Sequence, residues 1–378
     1  METALDSVRT GPDGPTRIGT VVVGGGQAGL AMGYYLQRKN ADFVIIEAHQ
    51  RVGDVWRSRY DSLRLFSLRR FASLPGLRIP VRTYALRDEY ADYLEQYATN
   101  FELPVRTGVR VLHVCRHDDG GLLVKTTAGS YLADSVVVAT GSHQRAYAPH
   151  FAADVDPSIT QLHSMDYRNA DQLAPGGVLV VGAGNSGTDI ALEAAAAGHP
   201  TWLAGRHPGQ VPVDIDTKQA LLALPIVMFV FKHVMTLRTP MGRKARPQVL
   251  SHGVQLVRNK LADLDAAGIV RIGRITGVHD GQPMTDDGPA PDIATIVWST
   301  GSYPDYRFLD LPGVDPAERP EERRGVSPEP GLYFLGLEFQ FAIASGTIQG
   351  VDRDARYLVR QMRKAGQLRR RTREPVAV

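Results

Sequence analysis

Short apolar runs that end at glycine recur along the chain. Ile18-Gly19-Thr20-Val21-Val22-Val23 leads into Gly24, Ser135-Val136-Val137-Val138-Ala139-Thr140 into Gly141, and Val178-Leu179-Val180-Val181 into Gly182. Ala294–Gly301 and Gly331–Gly336 repeat the pattern. Apolar runs this short, with little polar alternation, belong to parallel strands buried on both faces. Between them lie stretches with helical spacing: Leu30 to about Asn40, Asp88 to Asn100, Thr188 to Ala197 closing on Gly198, and a last helix opened by Ser345-Gly346. Only Val109–Val114 and Leu122–Thr127, around Asp118-Asp119-Gly120-Gly121, alternate as an antiparallel pair would. Strands alternating with helices predict an α/β fold.

The first strand–helix–strand unit carries specific chemistry. Gly24-Gly25-Gly26-Gln27-Ala28-Gly29 satisfies G-x-G-x-x-G, and Glu47 closes the second strand, Phe43–Ile46. In such a motif the first glycine permits the tight turn and the second lets the backbone approach a pyrophosphate. The third brings helix and strand together. The helix start offers N–H groups and positive dipole to phosphate. An acid about 20 residues further on accepts from a ribose and repels a 2′-phosphate. The unit then recurs: Val178–Val181, Gly182-Ala183-Gly184-Asn185-Ser186-Gly187, an alanine-rich helix and Thr201–Ala204. The second copy ends in Gly205-Arg206-His207. A guanidinium fork matches a 2′-phosphate where a carboxylate rejects one. The first unit therefore reads as an FAD or NAD site and the second as an NADP site.

Two such units without a short-period repeat predict two Rossmann-like dinucleotide-binding domains. Pro149 to Pro157 is a candidate crossing between them, and the last third restores the first domain. The expected division is 1–150 for the first part of the first domain, 151–290 for the inserted NADPH domain, and 291–378 for the remainder.

Composition narrows the picture further. A chain of 378 residues suits two domains, and a net charge of +3 implies no nucleic-acid partner. The basic tail (Lys364, Arg369, Arg370, Arg371, Arg373) reads as a solvated, frayed end. Cys115 is the single cysteine, so no dithiol can relay electrons within the chain, and a reducing compartment fits. The first fifteen residues, with Asp6 and Asp13, lack a signal-peptide core, and no apolar run reaches spanning length. A cytoplasmic location is expected. Gln219–Leu237 is the most apolar stretch, interrupted by Pro225 and followed by Arg238, Arg243, Lys244 and Arg246. Three readings stay open for residues 220–237: a buried helix, a lid over an apolar pocket, or a face docked on a membrane or partner.

The stretches GGGQAGL, VGDVWRSRYDSLRLFSLRRFASLPG, LHSMDYR, VGAGNSGTDIA, WLAGR, WSTG and GLYFLG span about residues 18–360. In them the chain resembles flavin-containing monooxygenases, near the plant YUCCA-type enzymes and bacterial flavoprotein oxidoreductases. The resemblance implies an NADPH domain inserted into a discontinuous FAD domain. It implies FAD on Gly24, Gly26, Gln27, Ala28, Gly29 and Glu47, with Trp56 and Arg57 beside the flavin and Val111 meeting adenine through its backbone. Thr140 and Gly141 would close over the cofactor. NADPH would lie on Gly184, Asn185, Ser186, Gly187 and Arg206. The implied activity is insertion of one oxygen atom from O2 into a small organic substrate through a flavin hydroperoxide. The alternatives are an NADPH oxidase or flavin reductase releasing hydrogen peroxide, and a nucleotide-bound regulatory protein without turnover. His163 and Tyr167 match the fingerprint that precedes the NADPH unit, whereas Pro157 and Ile159 replace its Phe and Gly. Ser67 and Leu68 stand near where typical members carry an Asn. No acid–base residue is identified by sequence, and no metal ligand set is expected.

Overall fold

The computed structural model describes residues 14–371 apart from 212–214, 216, 252–254 and 317. The polar start with Asp6 and Asp13, and Arg373 of the basic tail, lie outside the described residues. The first unit comprises β1 (Thr16–Val23), α1 (Gln27–Gln37), β2 (Phe43–Ile46), α2 (Arg87–Asn100), β3 (Val105–Arg106), β4 (Val111–Arg116), β5 (Leu122–Thr126) and β6 (Gly129–Val138). The second holds β7 (Thr160–His163), β8 (Val178–Val181), α3 (Asn185–Ala196), β9 (Thr201–Ala204), α4 (Lys218–Phe229), β10 (Val270–Ile272) and β11 (Thr295–Trp298). The chain returns through β12 (Leu309–Asp310), β13 (Leu332–Phe334) and α5 (Ile348–Lys364).

The first sheet has the order β12-β4-β5-β6-β1-β2-β3, with β13 also on β6. β1 is parallel to both β2 and β6. Successive side chains of a strand point to opposite faces, so an unbroken valine run requires cover on both. Val22, Ile45 and Val137 pack with α1, α2 and α5 on one side. Val21, Val23, Val44, Ile46, Val136 and Val138 pack on the other, against Val114, Val124, Leu309 and Phe334. The second sheet is parallel throughout, in the order β7-β11-β8-β9-β10. It is likewise covered on both faces.

Three expectations need correction. First, β11 does not belong to the first domain. It lies between β7 and β8, in register with Thr160–His163 and with Val178–Val181, so the inserted domain runs past residue 290 to the turn at 299–301. The two crossings run side by side, Arg145-Ala146 pairing antiparallel with Ser302-Tyr303. Second, the basic tail is pinned through Arg371. Asp42 N–H donates to the Arg369 carbonyl at 2.9 Å and Arg371 N–H to that of Asn40 at 2.9 Å. Third, residues 220–237 are not a buried helix. Leu222, Ile226 and Phe229 of α4 are 79%, 67% and 59% exposed. Among the described residues no helix is long and apolar enough to cross a membrane.

Smaller findings refine the reading. A short helix, Asp54–Arg57, begun by Gly53 at φ +91°, follows β2. The first and second units touch through Tyr60-Asp61-Ser62. Asp61 N–H donates to the Arg168 carbonyl at 2.7 Å, and Ser62 Oγ to Glu193 Oε2 at 3.1 Å.

Candidate functional site

The two units build the same cradle twice. Gly24 has φ +107° and Gly182 φ +113°, a region that L side chains rarely adopt. Each turn sits on the carbonyl end of its sheet. Gly24 N–H donates to the Ile46 carbonyl and Gly182 N–H to that of Ala204, both at 2.8 Å. The helices that follow, α1 and α3, begin at Gly26 (φ −75°, ψ −171°) and Gly184 (φ −78°, ψ −174°). Neither has a side-chain cap or an acid in its first turn, so the starting N–H groups are not answered by a carboxylate from their own helix. A Cβ on Gly26 or Gly184 would meet nothing within 4 Å, which marks open space above each helix start. A Cβ on Gly29 or Gly187 would lie 1.8 Å from the carbonyl oxygen of Gly24 or Gly182. That is the close helix–turn approach the third glycine is needed for.

Beside the first cradle, the Thr140 Oγ1 is buried without a partner; beside the second, Ser299 Oγ is. An orphaned buried hydroxyl costs about 1–3 kcal/mol, and a bound nucleotide would satisfy each. Gly24 lies against Ala139 and Thr140, and Gly141 has φ +78° at the rim. These features fit a pyrophosphate at each helix start, together with Gln27 and Ala28 in one first turn and Asn185 and Ser186 in the other.

Glu47 closes the first cradle and is buried. Its Oε2 accepts from Gly25 N–H at 2.7 Å, while Oε1 accepts from His49 N–H at 2.8 Å and faces His49 Nδ1 at 2.6 Å. A carboxylate has about four acceptor positions, so room remains on Oε2 for one ribose hydroxyl. Burial alone would raise its pKa, but the hydrogen bonds from His49 and Gly25 outweigh burial and hold it below the ordinary value of 4.5. His49 is raised above 6.5, chiefly by its hydrogen bond to Glu47. The depressed Glu47 contributes stability that is present above pH 4.5 and lost as pH falls through its folded value. The raised His49 contributes stability that is full below pH 6.5 and lost as pH rises through its folded value. His49→Gln is therefore expected to destabilise the protein most between about pH 4.5 and 6.5. Denaturation of both proteins across pH 4–9 checks this; a gap that widens above pH 7 would contradict it.

At the second cradle Arg206 follows Gly205 (φ +130°) at the end of β9. It is exposed and pairs with no described residue. The Asn185 side chain is turned aside: Nδ2 donates to the Gln255 carbonyl at 3.0 Å and Oδ1 accepts from Val257 N–H at 3.0 Å. Asn185 thus fastens the 255–257 segment over α3 and offers only its backbone to a ligand. Ser186 is exposed in the same turn.

The remaining sequence candidates divide. Trp56 joins the first cradle, its Nε1 donating to Gln27 Oε1 at 3.3 Å and its ring meeting the edge of Tyr90 at 4.8 Å. Val111 opens β4 near Glu47, whose carbonyl accepts from Val109 N–H at 3.0 Å. The Arg57 guanidinium is already engaged. It is held by Asp54, Asp92, Glu95 and the Val52 carbonyl, at 2.7–3.1 Å. His163 Nδ1 accepts from Met165 N–H at 3.1 Å, so Nε2 carries the proton and donates to the Gly301 carbonyl at 3.1 Å. Burial keeps this ring below its ordinary pKa, and it serves as a neutral brace for the turn after β11.

Two buried polar groups escape sequence reasoning. Asp189, on α3, accepts from Tyr60 Oη at 2.7 Å, Arg258 Nη2 at 2.6 Å and Asn259 Nδ2 at 2.5 Å. It ties the first unit, α3 and the 258–259 segment together. The available signal is an acid between Thr188 and Ile190 on the buried side of an alanine-rich helix. Gln340, fully buried, accepts from Gly336 and Leu337 N–H groups and donates to the Phe334 carbonyl at 3.0 Å. It shapes the turn that brings Gly336 against Ala28.

Comparison with known proteins agrees with this geometry. The model of the pyridine nucleotide-disulphide oxidoreductase family matches residues 21–230. An uncharacterised CzcO-like oxidoreductase of Geobacillus kaustophilus is 37% identical over 346 residues, 90% of this chain and 97% of that one. The probable indole-3-pyruvate monooxygenase YUCCA7 of Arabidopsis thaliana is 34% identical over 356 residues, covering 84% of this chain and 83% of its own. The solved flavin-containing monooxygenase from Stenotrophomonas maltophilia superposes with a TM-score of 0.74 at 27% identity, over 92% of this chain and 99% of that one.

Proposed function

Because the chain belongs to the pyridine nucleotide-disulphide oxidoreductase family, and within it to the flavin monooxygenases, we propose that this oxidoreductase is an FAD-dependent, NADPH-driven monooxygenase of a small organic molecule. One observation carries the assignment of cofactors to sites. Two cradles alike to within a few degrees end in opposite charges, Glu47 in one and Arg206 in the other. A buried carboxylate favours the unphosphorylated ribose of FAD, and an unpaired guanidinium favours the 2′-phosphate of NADPH.

FAD and NADPH held in the two cradles would supply the reducing equivalents and the oxygen chemistry by which one atom of O2 enters the substrate and the other ends as water. The chain supplies position and exclusion of water. Gly24–Gly29 and Gly182–Gly187 present helix starts to the two pyrophosphates, Glu47 accepts from the FAD ribose, and Thr140 Oγ1 and Ser299 Oγ are free to reach the ligands. No dithiol relay takes part, since Cys115 has no partner in the chain.

Arg206→Ala tests the assignment. A hydrogen-bonded charge pair is worth about 1.5–3 kcal/mol, so the preference for NADPH over NADH is expected to narrow roughly tenfold to a hundredfold. The readout is the rate of flavin bleaching with each coenzyme. An unchanged preference would move the 2′-phosphate away from β9.

A second reading, an NADPH oxidase that releases hydrogen peroxide, is favoured by Leu68. With Ser67 it stands near where the resemblance places an Asn, and it is buried against Tyr84 and Ile215. Peroxide released in a one-to-one ratio to NADPH, with and without candidate substrates, would select it over oxygen insertion.

A further inference from the structure

Beyond the two cradles, the described surface carries a row of large exposed apolar side chains beside a basic cavity. Leu222, Ile226 and Phe229 follow one another at helical spacing on α4 and project outward, with Leu221 and Val227 partly exposed at their sides. Met241 of the next helix, Pro240–Ser251, is 57% exposed. Apolar side chains this large and this contiguous are rare on a surface that meets only water.

Phe229 leads from this face into a groove of about 940 Å³, walled by Phe71, Leu74, Leu77 and Met228 and edged by Arg69 and Arg70. Past Lys232 and His233 the groove adjoins a smaller cavity of about 290 Å³. None of the glycine-loop residues lines either space.

The smaller cavity gathers positive charge. Lys232, Arg238, Arg324 and Arg353 line it together with His233, Thr236, Thr239 and Phe341. The guanidinium of Arg324 lies 3.8 Å from the ring centroids of both Phe341 and Tyr357, and that of Arg353 4.6 Å from Phe341. Of the acids nearby, Asp354 pairs with Arg353 through Oδ1 at 3.2 Å while its Oδ2 is buried without a partner, and Asp352 accepts from Tyr35 Oη. Arg324 Nε and Arg353 Nη2 are buried without a hydrogen-bond partner. Lys232, Arg238 and Arg324 form no ion pair with a described residue. With Asp354 on Arg353, the cations Lys232, Arg238 and Arg324 still leave the cavity net positive, which lowers the cost of seating an anion there.

We propose that this face docks on a bilayer carrying anionic lipid, with the exposed side of α4 in the headgroup–acyl boundary and one lipid phosphate among Lys232, Arg238, Arg324 and Arg353. The apolar helix and the basic cavity need each other for this. A short interfacial helix binds through buried apolar area plus attraction to anionic headgroups. Arg69, Arg70, Arg243 and Lys244 add to that field from the exposed rim. The groove between them has room for an acyl chain. An acidic protein partner would use the cations, but it would leave unexplained the outward row of Leu222, Ile226 and Phe229.

The test is co-sedimentation of the full chain with vesicles of phosphatidylcholine alone or mixed with phosphatidylglycerol. Binding is expected to be at least roughly tenfold stronger to the mixed vesicles and to weaken with added salt. Leu222→Ser with Ile226→Ser is expected to reduce it by roughly tenfold or more, and Arg238→Gln by about fivefold. All three positions lie outside the cradles, so NADPH oxidation in vesicle-free buffer is expected to stay within about twofold of the parent, which shows that the variants are folded. If the double variant does not fold, the lipid comparison and Arg238→Gln decide. Equal binding to both vesicle types overturns the proposal, as does no binding to either. Capture of monomeric dodecyl phosphate without vesicle binding would make the cavity a site for a free amphiphile and overturn docking. Self-association abolished by the double variant, without vesicle binding, would make the face a protein interface.

Discussion

Gly187→Ala is expected to yield a yellow protein that NADPH hardly bleaches. The added methyl would sit 1.8 Å from the Gly182 carbonyl oxygen, in the β8–α3 turn that Gly182 N–H ties to the Ala204 carbonyl. Either α3 or the turn must move by an ångström or more, and the N–H groups that would face the pyrophosphate move with it. Misplacement on that scale costs on the order of a hundredfold in rate. FAD content is expected to match the parent, because Gly24–Gly29 forms a separate cradle. Gly29→Ala should do the reverse: the same 1.8 Å approach to the Gly24 carbonyl oxygen predicts colourless protein. Stopped-flow reduction and the flavin spectrum read both. Parental reduction rates in the Gly187 variant would remove the second cradle from NADPH binding.

The largest effect on stability is expected from Asp189→Ala. Its carboxylate, almost wholly buried, is shared by Tyr60, Arg258 and Asn259. Removing it leaves a mostly buried guanidinium and a phenol without their acceptor and the Asn259 amide with Thr188 Oγ1 alone. Breaking a buried pair from one side costs about 3–5 kcal/mol. Tyr60→Phe removes one hydrogen bond to a charged acceptor and should cost less, about 1.5–3 kcal/mol. Urea denaturation followed by tryptophan fluorescence tests the ranking, which an Asp189 variant milder than the Tyr60 variant would reverse. Since Tyr60 belongs to the first unit and Asp189 to the second, both variants should also expose the 60–62 segment to protease.

What was legible in the sequence was local. The valine runs, the spaced glycines and Glu47 and Arg206 each act through neighbours within one strand–turn–helix unit, so their order in the chain is enough to read them. The assignment of β11 failed because Thr-Gly endings occur after strands of both sheets. Only pairing partners distinguish Ala139-Thr140-Gly141 from Ser299-Thr300-Gly301. Arg57 looked available for a cofactor until α2 supplied Asp92 and Glu95 from far along the chain. Asp189 and Gln340 were invisible for the same reason, since their partners come from other elements. The α4 stretch shows a further limit. Its hydropathy leaves a buried helix, a lid and a docked face open, and what covers it depends on the rest of the surface.

The side-by-side crossings at Arg145-Ala146 and Ser302-Tyr303 impose a timetable on synthesis. The host sheet is incomplete until β13 emerges to pair with β6, whereas the guest has all five of its strands by Trp298. During translation the guest can therefore be finished while its host is still missing an edge. A ribosome halted far enough beyond the second crossing to free β11 from its exit tunnel would display a protease-resistant core of the guest alone.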